Sequence, residues 1–160
     1  MKDSATRRHR LLIVDDDSSV VRLLQAYLEQ ELGDRLTIEA TDKPSEAQRL
    51  VAEGNWDLIL MDIEMPEANG MELLQLARRA NSWVRVVFVT GRSTWDRIAE
   101  AIELGAADYL LKPVDCQQLI AVISQECDRL TRWSLALREA LHRSALTPSE
   151  GELRGPLTTT

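Results

Sequence analysis

Asp15, Asp16 and Asp17 stand directly after the apolar run Leu11-Leu12-Ile13-Val14. A lone Asp62 follows a second run, Leu58-Ile59-Leu60-Met61; Thr90 closes a third, Val86-Val87-Phe88-Val89; Lys112, with Pro113 after it, closes a fourth, Tyr109-Leu110-Leu111. Runs of this kind read as buried parallel strands, and in an open α/β sheet the carboxyl ends of the strands share one edge where ligands bind. Asp15, Asp16, Asp62, Thr90 and Lys112 are therefore expected to converge from distant parts of the chain. Carboxylates crowded together need a cation, and hard oxygen ligands suit Mg²⁺. Carboxylates, a hydroxyl and an ammonium around Mg²⁺ make a site that handles phosphoryl groups. Lys112 is one of only three lysines, with Lys2 and Lys43, among nineteen basic residues. A compact ammonium meets a phosphoryl oxygen as a point charge, where a guanidinium would present a planar fork.

The elements that must position these residues follow from the alternation of short apolar runs with helical patterns. Strands are expected near 10–14, 36–40, 58–61, 85–89 and 108–111, and helices near 18–32, 43–53, 69–80, 94–104 and from 115 to about 142. Such alternation implies βαβ units and a parallel sheet covered on both faces. Gly33 and Gly105 fall just past helices, where a left-handed terminating residue is expected. Pro66 and Gly70 bracket a turn. The division expected is a flexible basic N-terminus over 1–9, one domain over 10–130, a helical extension over 131–143 and a disordered tail over 144–160.

The 160 residues suffice for one domain with a sizeable core, and a hydrophobic content of 44 % with 28 % charged residues fits a globular protein. No apolar stretch is long enough to span a membrane and no signal core precedes the first strand, so a cytoplasmic protein is expected. The net charge is −7, and residues 11–114 alone carry −9, which argues against direct nucleic-acid binding. Cys116 and Cys127 fall in one expected helix, about 16 Å apart along its axis, so they cannot pair with each other.

The pieces LLIVDDD at 11–17, LILMDIEMP at 58–66, VVFVTG at 86–91 and DYLLKP at 108–113 come in order and at strand ends. Through them the chain resembles the receiver domain of two-component response regulators over roughly residues 9–130. The resemblance implies an α/β fold, a doubly wound, five-stranded parallel sheet in flavodoxin-like order 2-1-3-4-5. It implies a phosphorylation-dependent signalling switch in a phosphorelay, in which a histidine kinase or phosphotransfer protein is the partner. Asp62 would be the phosphoacceptor. Asp15, Asp16, Asp62 and the backbone carbonyl of Glu64 would hold Mg²⁺, Lys112 would pair with the acyl phosphate, and Thr90 would hydrogen-bond a phosphoryl oxygen. Thr90 and Tyr109 would form the switch, and the face made by the fourth helix, fifth strand and fifth helix would carry the output. The protein would catalyse only its own phosphorylation and dephosphorylation. Ala68-Asn69-Gly70 departs from the family's usual Met-Asp-Gly at a turn.

Asp17 reads as a helix cap. Gly91 leaves room beside Thr90. Glu64 and Arg92, two residues after Asp62 and Thr90, are expected to flank the site, either as a pair or as separate surface charges. Trp56, Trp83 and Trp95 read as partly buried. A competing enzyme reading is a haloacid-dehalogenase-like, Mg²⁺-dependent phosphatase with Asp15 as nucleophile. It leaves Asp62 unexplained and lacks the later acidic pair such enzymes need. Beyond Leu130 the fifth helix keeps an apolar stripe, Trp133, Leu137 and Leu141, for which a homodimer through the fifth helices is the expected partner, with an output domain or a frayed linker as the alternatives. No recognisable effector domain fits in 131–160, so the output domain or effector protein is unknown from the sequence.

Overall fold

The computed structural model describes residues 7–91 and 94–146. The elements run β1 (His9–Val14), α1 (Ser18–Leu32), β2 (Leu36–Thr41), α2 (Pro44–Ala52), β3 (Leu58–Met61), β4 (Glu64–Met65), β5 (Ala68–Asn69), α3 (Gly70–Ala80), β6 (Arg85–Thr90), α4 (Trp95–Glu103), β7 (Asp108–Leu111) and α5 (Cys116–Leu146). Five strands form one parallel sheet in the order β2-β1-β3-β6-β7, which is the expected 2-1-3-4-5 once the two-residue hairpin β4–β5 is set aside.

Period-two alternation sends successive residues of each strand to opposite faces. On one face Leu12, Val14, Ile59, Met61, Val86 and Phe88 pack in a single buried cluster with Leu50 and Val51 of α2, Leu74 and Ala77 of α3 and Ala101 of α4. The intervening residues Leu11, Ile13, Leu58, Leu60, Val87 and Val89 are equally buried. For that face α1 supplies Val21, Leu24 and Leu28, and α5 supplies Leu119, Ile123 and Cys127. Burial on both faces is why the strands read as continuous apolar runs.

The helix starts are capped as their sequences dictate. Asp17 accepts from the Ser19 amide, Asn69 from the Met71 amide and Thr94 from the Arg97 amide. Gly105 is left-handed at φ +85, as its position after α4 suggests. Gly33 is not: it closes α1 at φ −64, ψ −19, in the right-handed region, so α1 ends by running straight into the turn before β2.

The described residues divide into two compact units between Cys127 and Asp128, inside α5 rather than at residue 130. The helix continues to Leu146, so Ser144, Ala145 and Leu146, expected in a disordered tail, are helical; residues 147–160 lie outside the described part. Among the described residues, no helix is long and apolar enough to cross a membrane.

Candidate functional site

The sheet register builds the site. Val14 and Met61 lie level on neighbouring strands, so Asp15 and Asp62 leave the sheet side by side. The Asp62 amide donates to the Val14 carbonyl at 3.0 Å, and the Lys112 amide to the Thr90 carbonyl at 2.9 Å, carrying each ladder up to the functional residue. Asp15, Asp62 and Thr90 are buried, while Asp16 is exposed. One carboxylate oxygen from each of Asp15, Asp16 and Asp62 lies within 4.8 Å of the other two. Lys112 ties two of them together: its Nζ is 2.6 Å from Asp15 Oδ2 and 3.0 Å from Asp62 Oδ2.

Charges this far out of water are tolerated only when compensated. Burial pushes the Asp15 carboxyl above the usual carboxylate range; Lys112 and the Asp17 amide oppose that, and the Asp62 charge adds to it. For Lys112, burial alone would favour the neutral amine, but the hydrogen bonds it donates to Asp15 and Asp62 outweigh it and hold the ammonium above its ordinary value. Asp15 Oδ2 is buried and, among the described residues, meets no donor besides the Lys112 ammonium. An under-satisfied carboxylate oxygen beside two further carboxylates is an all-oxygen donor set that fits a hard divalent cation such as Mg²⁺.

The flanks of the site are also positioned. Tyr109, half-buried on β7, meets Phe88 edge to face with ring centroids 6.3 Å apart. Burial, then the charges of Asp62 and Glu64, push its hydroxyl upward, and Arg97 works against them. Among the described residues, a side chain at Gly91 would meet nothing nearer than Lys112 Cβ and Cδ at 3.9 Å. The Glu64 amide donates to Asp62 Oδ1 at 3.2 Å, and its carboxylate reaches across to Arg97 at 3.9 Å. Arg92, one expected neighbour of Glu64, lies outside the described residues. Arg97 was not evident in the sequence, because nothing in a helical pattern reveals which neighbouring loop a surface arginine meets.

The model of the response regulator receiver domain matches residues 11–124 of the chain. This chain belongs to that family. The chain is 33 % identical, over 98 % of its length, to the alginate biosynthesis transcriptional regulatory protein AlgB of Pseudomonas putida, and covers 32 % of that protein. It is 39 % identical over 71 % of its length to the transcriptional regulatory protein MalR of Bacillus subtilis, of which it covers 48 %. The chain thus spans about a third to a half of the length of these relatives. Its fold is similar to that of a CheY-like response regulator receiver domain protein from Methanospirillum hungatei, with a TM-score of 0.71 and 28 % identity over 77 % of this chain and 96 % of that one. The phosphatase alternative gains no support. The later acids it would need are engaged elsewhere: Asp115 caps α5 through the Gln117 and Gln118 amides, and Glu126 pairs with Arg85.

Proposed function

We propose that Asp62 is the phosphoacceptor of this receiver domain. The observation that carries the reading is the buried Asp62 carboxylate held 3.0 Å from the Lys112 ammonium at the sheet edge, beside Asp15 and Asp16. One Asp62 oxygen attacks the phosphorus of a phosphohistidine on a histidine kinase or phosphotransfer protein. An O–P bond forms, the N–P bond breaks, and its electron pair returns to the imidazole. Such transfer needs alignment and charge neutralisation more than covalent assistance. Asp15, Asp16, Asp62 and the Glu64 carbonyl would hold Mg²⁺, which when bound supplies positive charge opposite the phosphoryl oxygens. Lys112 keeps its ammonium charged throughout and stays with the acyl phosphate. Thr90, at the end of β6, hydrogen-bonds a phosphoryl oxygen, and Tyr109 follows it inward. Histidine-to-aspartate transfer and hydrolysis of the resulting acyl phosphate to inorganic phosphate are the reactions this site would catalyse, on itself alone.

The relatives named above are transcriptional regulators longer than this chain, which supports an output that acts on transcription through a further domain or partner. The acidic receiver itself is not the nucleic-acid contact, and a cytoplasmic location fits this role. We assign homodimerisation to the C-terminal part of α5, whose exposed Trp133, Leu137 and Leu141 recur every fourth residue.

Incubation with Mg²⁺ and acetyl phosphate followed by intact-mass analysis tests the acceptor. An acid-stable, base-labile adduct is expected, absent in Asp62→Ala and kept in Asp17→Ala, since Asp17 only caps α1. An adduct kept by Asp62→Ala and lost in Asp15→Ala would reverse the assignment in favour of phosphatase-like chemistry.

A further inference from the structure

Gly70 is the first residue of α3 and is buried. The only glycines at positive φ among the described residues are Gly54 and Gly105, so the backbone at 70 does not itself demand glycine. Proximity does. A Cβ at this position would lie 2.4 Å from the Asp62 carbonyl oxygen, 2.7 Å from Ile63 Cα and 3.2 Å from the Asp62 carbonyl carbon. All three are backbone atoms and cannot rotate out of the way. Ordinary contact begins near 3.4 Å, so the peptide between Asp62 and Ile63 would have to retreat by about an ångström.

Other contacts show that this close seat is built. The Gly70 amide donates to the Ile63 carbonyl at 2.8 Å. The β4–β5 hairpin sets Glu64 opposite Asn69 and Met65 opposite Ala68, folding the loop after Asp62 back onto the start of α3. Asn69 Oδ1 then accepts from the Met71 amide at 2.9 Å and fixes the first turn. The N-terminus of α3 is therefore pressed against the very peptide that carries the Asp62 side chain and leads to the Glu64 carbonyl.

We infer that Gly70 is a positioning residue for phosphoryl transfer: its missing side chain lets α3 seat on the Asp62–Ile63 peptide and thereby sets where the Asp62 carboxylate and the Glu64 carbonyl stand. This rests on Asp62 as the acceptor. Reactive groups displaced by about an ångström lose up to roughly a hundredfold in rate. Alanine is a better helix former than glycine, so propensity alone would make Gly70→Ala neutral or stabilising; a defect there reports the collision.

The experiment uses the full chain as Gly70→Ala, with Ala77→Gly as the comparison, since it weakens α3 two turns away from Asp62. Three quantities are measured: melting temperature, the maximal rate of adduct formation at saturating acetyl phosphate, and Mg²⁺ affinity by calorimetry on the unphosphorylated protein. Gly70→Ala should fold, lose about tenfold or more in maximal rate, and bind Mg²⁺ several-fold more weakly. Ala77→Gly should melt lower yet keep the parent's rate and affinity. Parent-like rate and affinity in Gly70→Ala would overturn the inference, as would an equal loss in Ala77→Gly. Should Gly70→Ala not fold, Asn69→Ala, which frees the first turn without adding atoms, carries the test: a several-fold fall in both quantities supports the inference and parent values overturn it. A parent protein that takes up no phosphoryl group would fell the acceptor assignment, and Mg²⁺ affinity would still decide the role of Gly70.

Discussion

At the scale of single residues, the site is a balance between three carboxylates and one ammonium, and that balance can be tipped in a known direction. Burial raises the Asp15 pKa, so the folded state holds its proton more tightly than the unfolded chain does. Stability without metal therefore falls as pH rises from the ordinary carboxylate value through the raised one, and the penalty is complete above it. Asp15→Asn removes that penalty. In chelator at neutral pH it should melt higher than the parent, the gain should shrink as the pH is lowered into the carboxylate range, and the stabilisation by millimolar Mg²⁺ should disappear. An Asp15→Asn protein that melts at the parent's temperature in chelator and still responds to Mg²⁺ would contradict the placement. Lys112→Arg tests the other side. It keeps the charge but replaces a point charge with a planar fork. Melting should change little while adduct formation slows by an order of magnitude or so, within the range seen when a single charge-stabilising donor is lost. Almost all of these residues were legible in the sequence, because strand ends mark them and parallel topology brings strand ends together. Gly70 and Arg97 were not, since their roles depend on close approaches between elements that no pattern along the chain encodes.

Elements were read from periodicity, and periodicity served best where burial is complete. The five sheet strands fall within a residue or two of expectation, and the three central ones, β1, β3 and β6, are apolar on both faces. The β4–β5 hairpin was invisible: two-residue strands carry no period, and Glu64-Met65-Pro66-Glu67 reads only as a turn. Trp56 illustrates the same limit, for it is 1 % exposed whereas Trp95 is 81 % exposed, and residue type alone placed Trp56, Trp83 and Trp95 all midway. Trp56 is buried because its indole N–H finds the Leu50 carbonyl at 2.7 Å and the Arg10 guanidinium lies over its ring. The apolar face of α5 that covers the sheet was legible, but the polar contacts that fix the helix there were not. Glu126 is almost wholly buried and accepts from Arg85 Nε at 2.6 Å, and Arg35 donates to Ser124 Oγ at 2.9 Å. Removing one partner of a buried ion pair costs about 3–5 kcal/mol. The Arg85 side chain remains 26 % exposed, so Glu126→Ala should cost less, on the order of 2 kcal/mol by urea unfolding. Arg85→Met with Glu126→Leu should recover most of that loss. A single variant as stable as the parent would mean that the pair does not anchor α5.

For the molecule as a whole, the open matter is what the far part of α5 does. The unit that carries the candidate site ends at Cys127, and the helix goes on to Leu146. A helical segment of this length gains little from its own hydrogen bonds and is marginal in water unless an apolar face is covered. Trp133, Leu137 and Leu141 are 57 %, 45 % and 70 % exposed in the single chain, and they recur at one helical spacing. Arg143 pairs with Glu139 at 3.0 Å across one turn, so charge borders the stripe. The similarity to AlgB extends over 98 % of the chain, well past the end of the receiver match at residue 124, so this segment is shared with a longer regulator. A second copy of the helix would cover the stripe by symmetry, an isologous contact in which each residue meets its own equivalent. Ser134 interrupts strict heptad spacing, which limits the contact to a short pairing rather than a long coiled coil. Light scattering at high micromolar concentration should therefore give a dimer for the whole chain and a monomer for a version ending at Leu130. Leu137→Glu, which places a charge in the stripe, should also give a monomer while leaving adduct formation on Asp62 unchanged. If the whole chain and the shortened one are both monomers, with and without a phosphoryl mimic, the stripe is covered by something other than its own copy.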